Sequence, residues 1–291
     1  MPRKSKIAVP DIIHRLDEIV ELRVLEVIQD GEGKRSNVYL IDCRRRQPIQ
    51  STTVPANQSS ICVLKTFPSN EFHERLFQRE VAAYTELQRS TAAADPEGAW
   101  AVLSSYDAQP SSWPFCFGQL QLSDIVEPLQ ADGRWIRPSR YCYGATGRCS
   151  GYRDSYASAP SGAKQRRGLL LEYMPNFTPL TVDRLNDELA KELRRIISEL
   201  HAHNMVHGDF VDHASWPRVG FGNIFLRKRK GSGAEEVFVM DFNRSRIVGT
   251  HPRDQAMAQE EEDQMHDLLG RALEQKMAVD EIPKEVRELL G

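Results

Sequence analysis

The sequence predicts an α+β protein, a small β-rich lobe followed by a reduced, mainly helical one. Three observations predict it. Strand-like runs crowd the first part of the chain and enclose one amphipathic helix. A second long amphipathic pattern opens the later part, and two short apolar strands joined by a hairpin-like turn follow it. Clefts between two such lobes are a favoured place for a ligand.

Residues 11–30 read first as a helix, with Ile12, Ile13, Leu16, Ile19 and Val20 on one side, and then as a strand running into "VLEVIQDGEGKRSNVYLIDC". Val38 to Ile41 have strand composition, so a Gly-rich turn joins two strands. After a polar loop comes the strand "ICVLKTF". The helix "SNEFHERLFQREVAAYTELQ" is capped by Ser69 or Asn70, favoured by Glu71 and Glu74 in its first turn, and striped by Leu76, Phe77, Val81, Tyr84 and Leu87. "WPFCFGQL" suggests a further strand. Residues 121–167 read as a long insertion, and "GLLLEYMP" as a buried strand stopped by Pro175. "DELAKELRRIISELHAHNMV" is helical, with Leu189, Leu193, Ile196, Ile197 and Leu200 on one face. "NIFLRK" and "VFVMDF" are the hairpin strands, and the tail 255–291 is helical and acid-rich. The expected organisation is an N-terminal extension over 1–20, a sheet lobe over 21–171 and a helical lobe over 172–291, joined at 172–178.

The bulk numbers exclude several classes. The chain has 291 residues and a net charge of −3, which favours no partner. No apolar run approaches the roughly 20 residues that cross a bilayer, and the basic N-terminus lacks the apolar stretch of a secretory signal. Five scattered cysteines without a CxxC pair suggest neither a disulfide framework nor a zinc site. A cytoplasmic protein with no membrane and no DNA partner is expected. The net charge hides an asymmetry, however. Between Gly133 and Gly168 eight basic residues face the single acid Asp154, so this stretch carries +7 and the remainder −10. Its cations alternate with Trp135, Tyr141, Tyr143, Tyr152 and Tyr156. That mixture suits RNA, because cations neutralise phosphates and flat rings stack on bases.

Several residues carry candidate chemistry. Gly31 and Gly33, in "GEGKRSNV", allow backbone N–H groups to approach phosphate oxygens, with Ser36 and Val38 following. Lys65 lies among apolar neighbours on a strand, where an ammonium needs an anionic partner. Glu80 lies on the apolar side of its helix, at i+4 from Leu76, and supplies that partner. Asp209, directly after a helix, is placed to orient a hydroxyl and take its proton. Asn223 precedes one hairpin strand and Asp241 follows the other, so a short hairpin brings both to one end, next to Asp209. Such hard oxygens suit Mg²⁺.

Taken in order, the Gly-rich loop, Val63-Leu64-Lys65, Glu80, His207-Gly208-Asp209 with Asn223, and Asp241-Phe242 resemble the protein-kinase-like superfamily. The resemblance is to its compact fungal and small-molecule-kinase-like branch, in which His-Gly-Asp replaces His-Arg-Asp. It implies a bilobal fold that uses ATP and Mg²⁺. Lys65 would then contact the α- and β-phosphates, Glu80 would hold Lys65, and Asp209 would act as base. Asn223 and Asp241 would bind Mg²⁺, and Glu172 to Met174 would form the adenine hinge behind Leu171. The departures from the pattern are specific. Ser36 stands where the third loop glycine is usual, and Asn243 replaces the Gly of Asp-Phe-Gly. No Ala-Pro-Glu follows, and "VDHASWPRVGFG" lengthens the loop between Asp209 and Asn223. These favour a small-molecule substrate over a protein chain.

A kinase-like fold does not oblige kinase chemistry. A relation to the fungal arginine-containing cyclodipeptide synthases of secondary metabolism gives a second expectation. There the basic stretch 133–167 would hold tRNA, Asp209, Asp212 and Asp241 would receive a cationic aminoacyl group, and ATP and Mg²⁺ would not be needed. A pseudokinase scaffold is a third class, disfavoured because Lys65, Glu80, Asp209, Asn223 and Asp241 are all present.

Overall fold

The computed structural model describes residues 19–29, 36–45, 59–68, 70–90, 112–122, 131, 135–136, 167–211, 220–228 and 233–280. Two compact units divide them. The first takes Met1–Val81, Ala92–Ala108 and Phe115–Tyr173; the second takes Ala82–Thr91, Gln109–Pro114 and Met174–Gly291.

The first unit is an antiparallel sheet. It is built from β1 (Ile19–Gln29), β2 (Asn37–Arg45), β3 (Ser59–Phe67), β4 (Cys116–Gln121), β5 (Trp135–Ile136) and β6 (Arg167–Glu172), in the order β4-β6-β3-β2-β1-β5. Leu22, Val24, Tyr39, Ile41, Cys43, Cys62, Leu64, Leu120, Leu122 and Leu170 form its core. Period-two alternation puts these residues on one face, so Lys65, next to Leu64, belongs to the other. Cys43 and Cys62 are thiols in the core, in no disulfide, with sulfurs 3.6 Å apart, and Cys116 is also a buried thiol. Gly168 lies where β6 crosses the core face. A Cβ there would come within 2.9 Å of Leu64 Cδ1 and 3.3 Å of the Lys65 carbonyl oxygen.

Two expectations change here. Ile19 and Val20 are not helical but begin β1, because the run "IVELRV" alternates with period two and pairs with β2. The sheet therefore starts inside the stretch read as an N-terminal extension. The insertion is not all loop either: Trp135 and Ile136 pair with Arg23 and Leu22 as an edge strand. A two-residue strand has no periodicity of its own, so only the pairing reveals it.

Helix α1 (Glu71–Ser90) passes from the first unit to the second after Val81. Asn70 is its cap: its Oδ1 accepts the His73 N–H at 3.0 Å. The expected stripe is buried, with Leu76, Phe77, Val81, Tyr84 and Leu87 all under a tenth exposed.

The second unit contains β7 (Phe177–Pro179), α2 (Asp187–Ala202), β8 (Met205–Val206), β9 (Ile224–Lys228), β10 (Glu235–Val239), β11 (Arg246–Ile247) and α3 (Pro252–Asp280). Asn186 caps α2 by accepting the Leu189 N–H at 2.9 Å. Leu189, Leu193, Ile196, Ile197 and Leu200 are buried, each stabilising the unit by about 1.5–3 kcal/mol. The helix is shorter than expected. It ends at Ala202, Asn204 adopts a left-handed conformation (φ 54°), and Met205–Val206 pair with β11. Strands β7, β8 and β11 were not legible in the sequence, since each is two or three residues long and held by its neighbour. The β9–β10 hairpin has the expected antiparallel pairing, Ile224 opposite Val239, although β10 begins at Glu235 and closes before Met240.

The chain is thus α+β, with a β-rich first unit and a helical second unit, as its sequence predicts. No helix among the described residues is long and apolar enough to cross a membrane.

Candidate functional site

In the first unit, Lys65 on β3 meets Glu80 on α1. Lys65 Nζ donates to Glu80 Oε1 at 2.9 Å and Oε2 at 2.7 Å. The side chains are 6% and 0% exposed, and both are held away from water. The Phe67 ring, two residues along the same face, has its centroid 5.4 Å from Nζ. Val38 and Leu169 flank Lys65 on the neighbouring strands. Burying such a pair gains little stability over an apolar pair of the same volume, so its presence asks for another reason.

Ser36 is buried, and its carbonyl accepts Gln29 Nε2 at 3.0 Å, a bond between the two ends of the Gly-rich stretch. Gly31 and Gly33 themselves lie outside the described residues. Glu172 closes β6, and its carboxylate accepts the Phe115 N–H at 3.0 Å, while its own N–H bonds the Phe115 carbonyl at 2.8 Å. Met174 is buried.

In the second unit, the segment after β8 carries His207, Gly208 and Asp209. Gly208 has φ 74°, and a Cβ there would sit 3.3 Å from the Arg244 carbonyl oxygen, so glycine answers both demands at this position. Asn223 Nδ2 donates to the Asp209 carbonyl at 3.0 Å and to Asp209 Oδ2 at 3.3 Å. The long loop between them starts with a bridge between Val211 and Phe221, and Gly222 N–H returns to the Phe210 carbonyl at 2.8 Å. The ends of the loop are therefore pinched together, which lets the nine residues 212–220 be inserted without separating Asp209 from Asn223. Residues 212–219, including Asp212, lie outside the described residues.

The hairpin then carries the chain to Asp241. Met240 N–H bonds the Asn223 carbonyl at 3.1 Å, one residue before Asp241. Asn223 (φ 58°) and Asp241 (φ 66°) are both left-handed, a conformation that Asn and Asp tolerate and that is often found at working positions. Phe242 is fully buried against Tyr84, with ring centroids 5.3 Å apart, and against His207 at 5.1 Å.

Two contacts could not be anticipated. Arg244 Nη1 donates to Asp209 Oδ1 at 2.7 Å. Glu261, on α3, accepts the backbone N–H of His207 at 3.1 Å and of Gly208 at 2.6 Å, and so holds the segment that leads into Asp209. Nothing singles out Glu261 in the run Glu260-Glu261-Glu262. The only sequence signal for Arg244 is its position three residues after Asp241.

His207 is buried, and its Nε2 lies 3.0 Å from the Met240 carbonyl oxygen. Burial depresses its pKa below the ordinary value despite the nearby Glu261, Asp241 and Asp209 carboxylates, so the ring is neutral and donates from Nε2.

Among the described residues no cluster of three or more His, Cys, Asp or Glu side chains is placed to hold a metal. Asn223 and Asp241 are nonetheless compatible with Mg²⁺. Asn223 uses its amide nitrogen on Asp209, which turns its carbonyl oxygen away, and Mg²⁺ commonly takes only one or two protein oxygens, with phosphates and water completing the shell.

The buried Lys65–Glu80 pair and the contact of Asp209 with Asn223 are arrangements that the resemblance to the protein-kinase-like superfamily implies. No protein-family model and no curated protein matches the chain. Among solved structures it is similar to a Rio2 kinase–ADP/Mg²⁺–phosphoaspartate complex from Chaetomium thermophilum, at 15% identity and a TM-score of 0.37. That match covers 88% of this chain and 57% of the other, so this chain spans little more than half the Rio2 length. It is also similar to PK-1, a kinase of Cydia pomonella granulovirus, at 14% identity and a TM-score of 0.38, covering 92% of this chain and 73% of that one.

Proposed function

We propose that the chain is an ATP- and Mg²⁺-dependent phosphotransferase acting on the hydroxyl of a small molecule. The buried Lys65–Glu80 pair carries this reading. Glu80 grips the ammonium with both oxygens and orients a point charge of the kind that binds phosphate oxygens. Asn223 and Asp241 would hold Mg²⁺, which neutralises phosphate charge when bound. Asp209, oriented by Asn223 and Arg244, would accept the proton of the attacking hydroxyl. Positioning and charge neutralisation would supply most of the rate, as in phosphoryl transfer generally. Gly31, Gly33, Ser36 and Val38 are proposed around the phosphates and base, and Glu172 and Met174 at the adenine.

The test is calorimetry of the full chain with ATP and Mg²⁺, followed by mass spectrometry of products formed from a panel of hydroxylated metabolites. Binding and a product heavier by one phosphoryl group support the reading. A chain that does not bind ATP–Mg²⁺ sinks it. Asp241→Asn is expected to abolish turnover.

A second reading is favoured by the +7 charge of residues 133–168. In it the basic stretch, most of which lies outside the described residues, holds tRNA for cyclodipeptide formation of the fungal arginine-containing type. Salt-dependent tRNA binding that survives deletion of 137–166 would remove it.

A further inference from the structure

The backbone in front of Asp209 is held by a carboxylate whose own charge is balanced by a histidine. Glu261 uses Oε1 for the Gly208 N–H and Oε2 for the His207 N–H. Oε2 also lies 2.9 Å from His201 Nε2, and the other ring nitrogen, Nδ1, lies 3.1 Å from Glu262 Oε1. An imidazole donates from both nitrogens only when doubly protonated, so this is the geometry of an imidazolium between two carboxylates. His201 and Glu261 are 11% and 7% exposed, which limits screening by water.

The surroundings leave few other groups to share the charge. His201 sits in the last turn of α2. Against that helix α3 presents Glu261 and Glu262, with Asp263 and His266 farther along the face that meets Arg194, while β8 has no titratable side chain. Strand β10 carries Glu235 and Glu236, which Arg184 and Arg227 engage. From the loop, His207 faces Glu261 as a buried neutral ring. Burial opposes the charge on His201, but hydrogen bonds to Glu261 and Glu262 override it and hold its pKa above the ordinary histidine value.

We propose that His201 is a positioning residue. As an imidazolium it fixes Glu261, which in turn fixes the His207–Gly208 backbone, so the protonation of His201 sets the order of the loop that carries Asp209. Deprotonation leaves one ring nitrogen as an acceptor facing a carboxylate. Glu261 then loses a balancing charge, and its hold on the two amides loosens. The sign follows from a raised folded-state pKa: the clamp is complete below about pH 6.5 and is lost as pH rises through the higher folded value. The role of Asp209 as base rests on the phosphotransferase reading, whereas the order of the loop can be measured without turnover.

The experiment is NMR on the full chain between about pH 5 and pH 9, following the His201 ring and the His207 and Gly208 amides. ATP consumption is measured over the same range. In the wild type the two amides are expected to titrate with the midpoint of the His201 ring. Above that midpoint their exchange, relative to the intrinsic rate, should rise about tenfold or more. His201→Lys, a cation throughout, should abolish the titration and keep the protection. His201→Gln should abolish both. Amides that titrate apart from the ring, or that stay protected in His201→Gln, overturn the proposal, and the wild-type comparison stands even if a variant fails to fold. Co-titration in a chain that consumes no ATP keeps the clamp and removes the phosphotransferase reading. Turnover with amides indifferent to His201 does the reverse.

Discussion

Arg244 Nη1 lies 2.7 Å from Asp209 Oδ1, and the guanidinium is the charged partner of the candidate base. Asn223 approaches the other carboxylate oxygen, so the Asp209 side chain is fixed from two sides by residues flanking the β9–β10 hairpin. A hydrogen bond to a charged group contributes about 1.5–3 kcal/mol, so Arg244→Met is expected to lower kcat about ten- to a hundredfold. The KM for ATP should change little, because Arg244 orients the base. Arg244→Lys restores only part of the loss, since an ammonium lacks the planar fork. Steady-state kinetics on the three proteins checks this; an unchanged kcat in Arg244→Met removes the orienting role.

The Lys65–Glu80 pair predicts a non-additive result. Removing one partner leaves a buried charge uncompensated, so Glu80→Leu should destabilise the fold by about 3–5 kcal/mol. The double variant Lys65→Met/Glu80→Leu should recover most of that stability yet bind no ATP. Denaturant unfolding combined with calorimetry separates the two effects. A double variant that still binds ATP–Mg²⁺ would show the pair to be structural only.

Gly168→Ala tests the packing of β6. The added methyl meets Leu64 Cδ1 at 2.9 Å and the Lys65 carbonyl at 3.3 Å. A side chain can move aside, but the strand backbone cannot without disturbing the ladder. Overpacking of about 1–3 kcal/mol is expected, visible as a lower denaturant midpoint with an unchanged slope.

His207 should make the protein acid-sensitive. Its folded-state pKa is depressed, mainly by burial, so the unfolded chain binds a proton more readily than the folded one. The stability this neutral ring contributes is complete above about pH 6.5 and is lost as pH falls toward the folded value. His207→Asn, which keeps a donor, should flatten that acid limb when unfolding is followed against pH. An equally steep limb in the variant would assign the loss to other groups.

Much of the fold was legible because it rests on patterns of several turns or strands. The stripe of α1 from Leu76 to Leu87 and that of α2 from Leu189 to Leu200 are periodic enough to survive any tertiary context. The shift of Ile19 and Val20 from expected helix to strand shows the opposite case, in which a short ambiguous run follows whichever partner pairs with it. Strands β5, β7, β8 and β11 are too short to have a pattern at all.

For the candidate site, residue type and order name Lys65, Glu80, Asp209, Asn223 and Asp241 as candidates, because each is a polar side chain set against apolar neighbours, at the end of a strand or directly after a helix. Local sequence also implied the hairpin that joins Asn223 to Asp241. Only the tertiary structure decided that Arg244 holds Asp209, and that Glu261, out of a run of like residues, carries the His207–Gly208 amides and His201. The reason is distance along the chain. Burial patterns and turns are set by neighbours within a few residues, whereas these contacts join residues 35 to 60 positions apart and exist only once α2, α3 and the hairpin have packed.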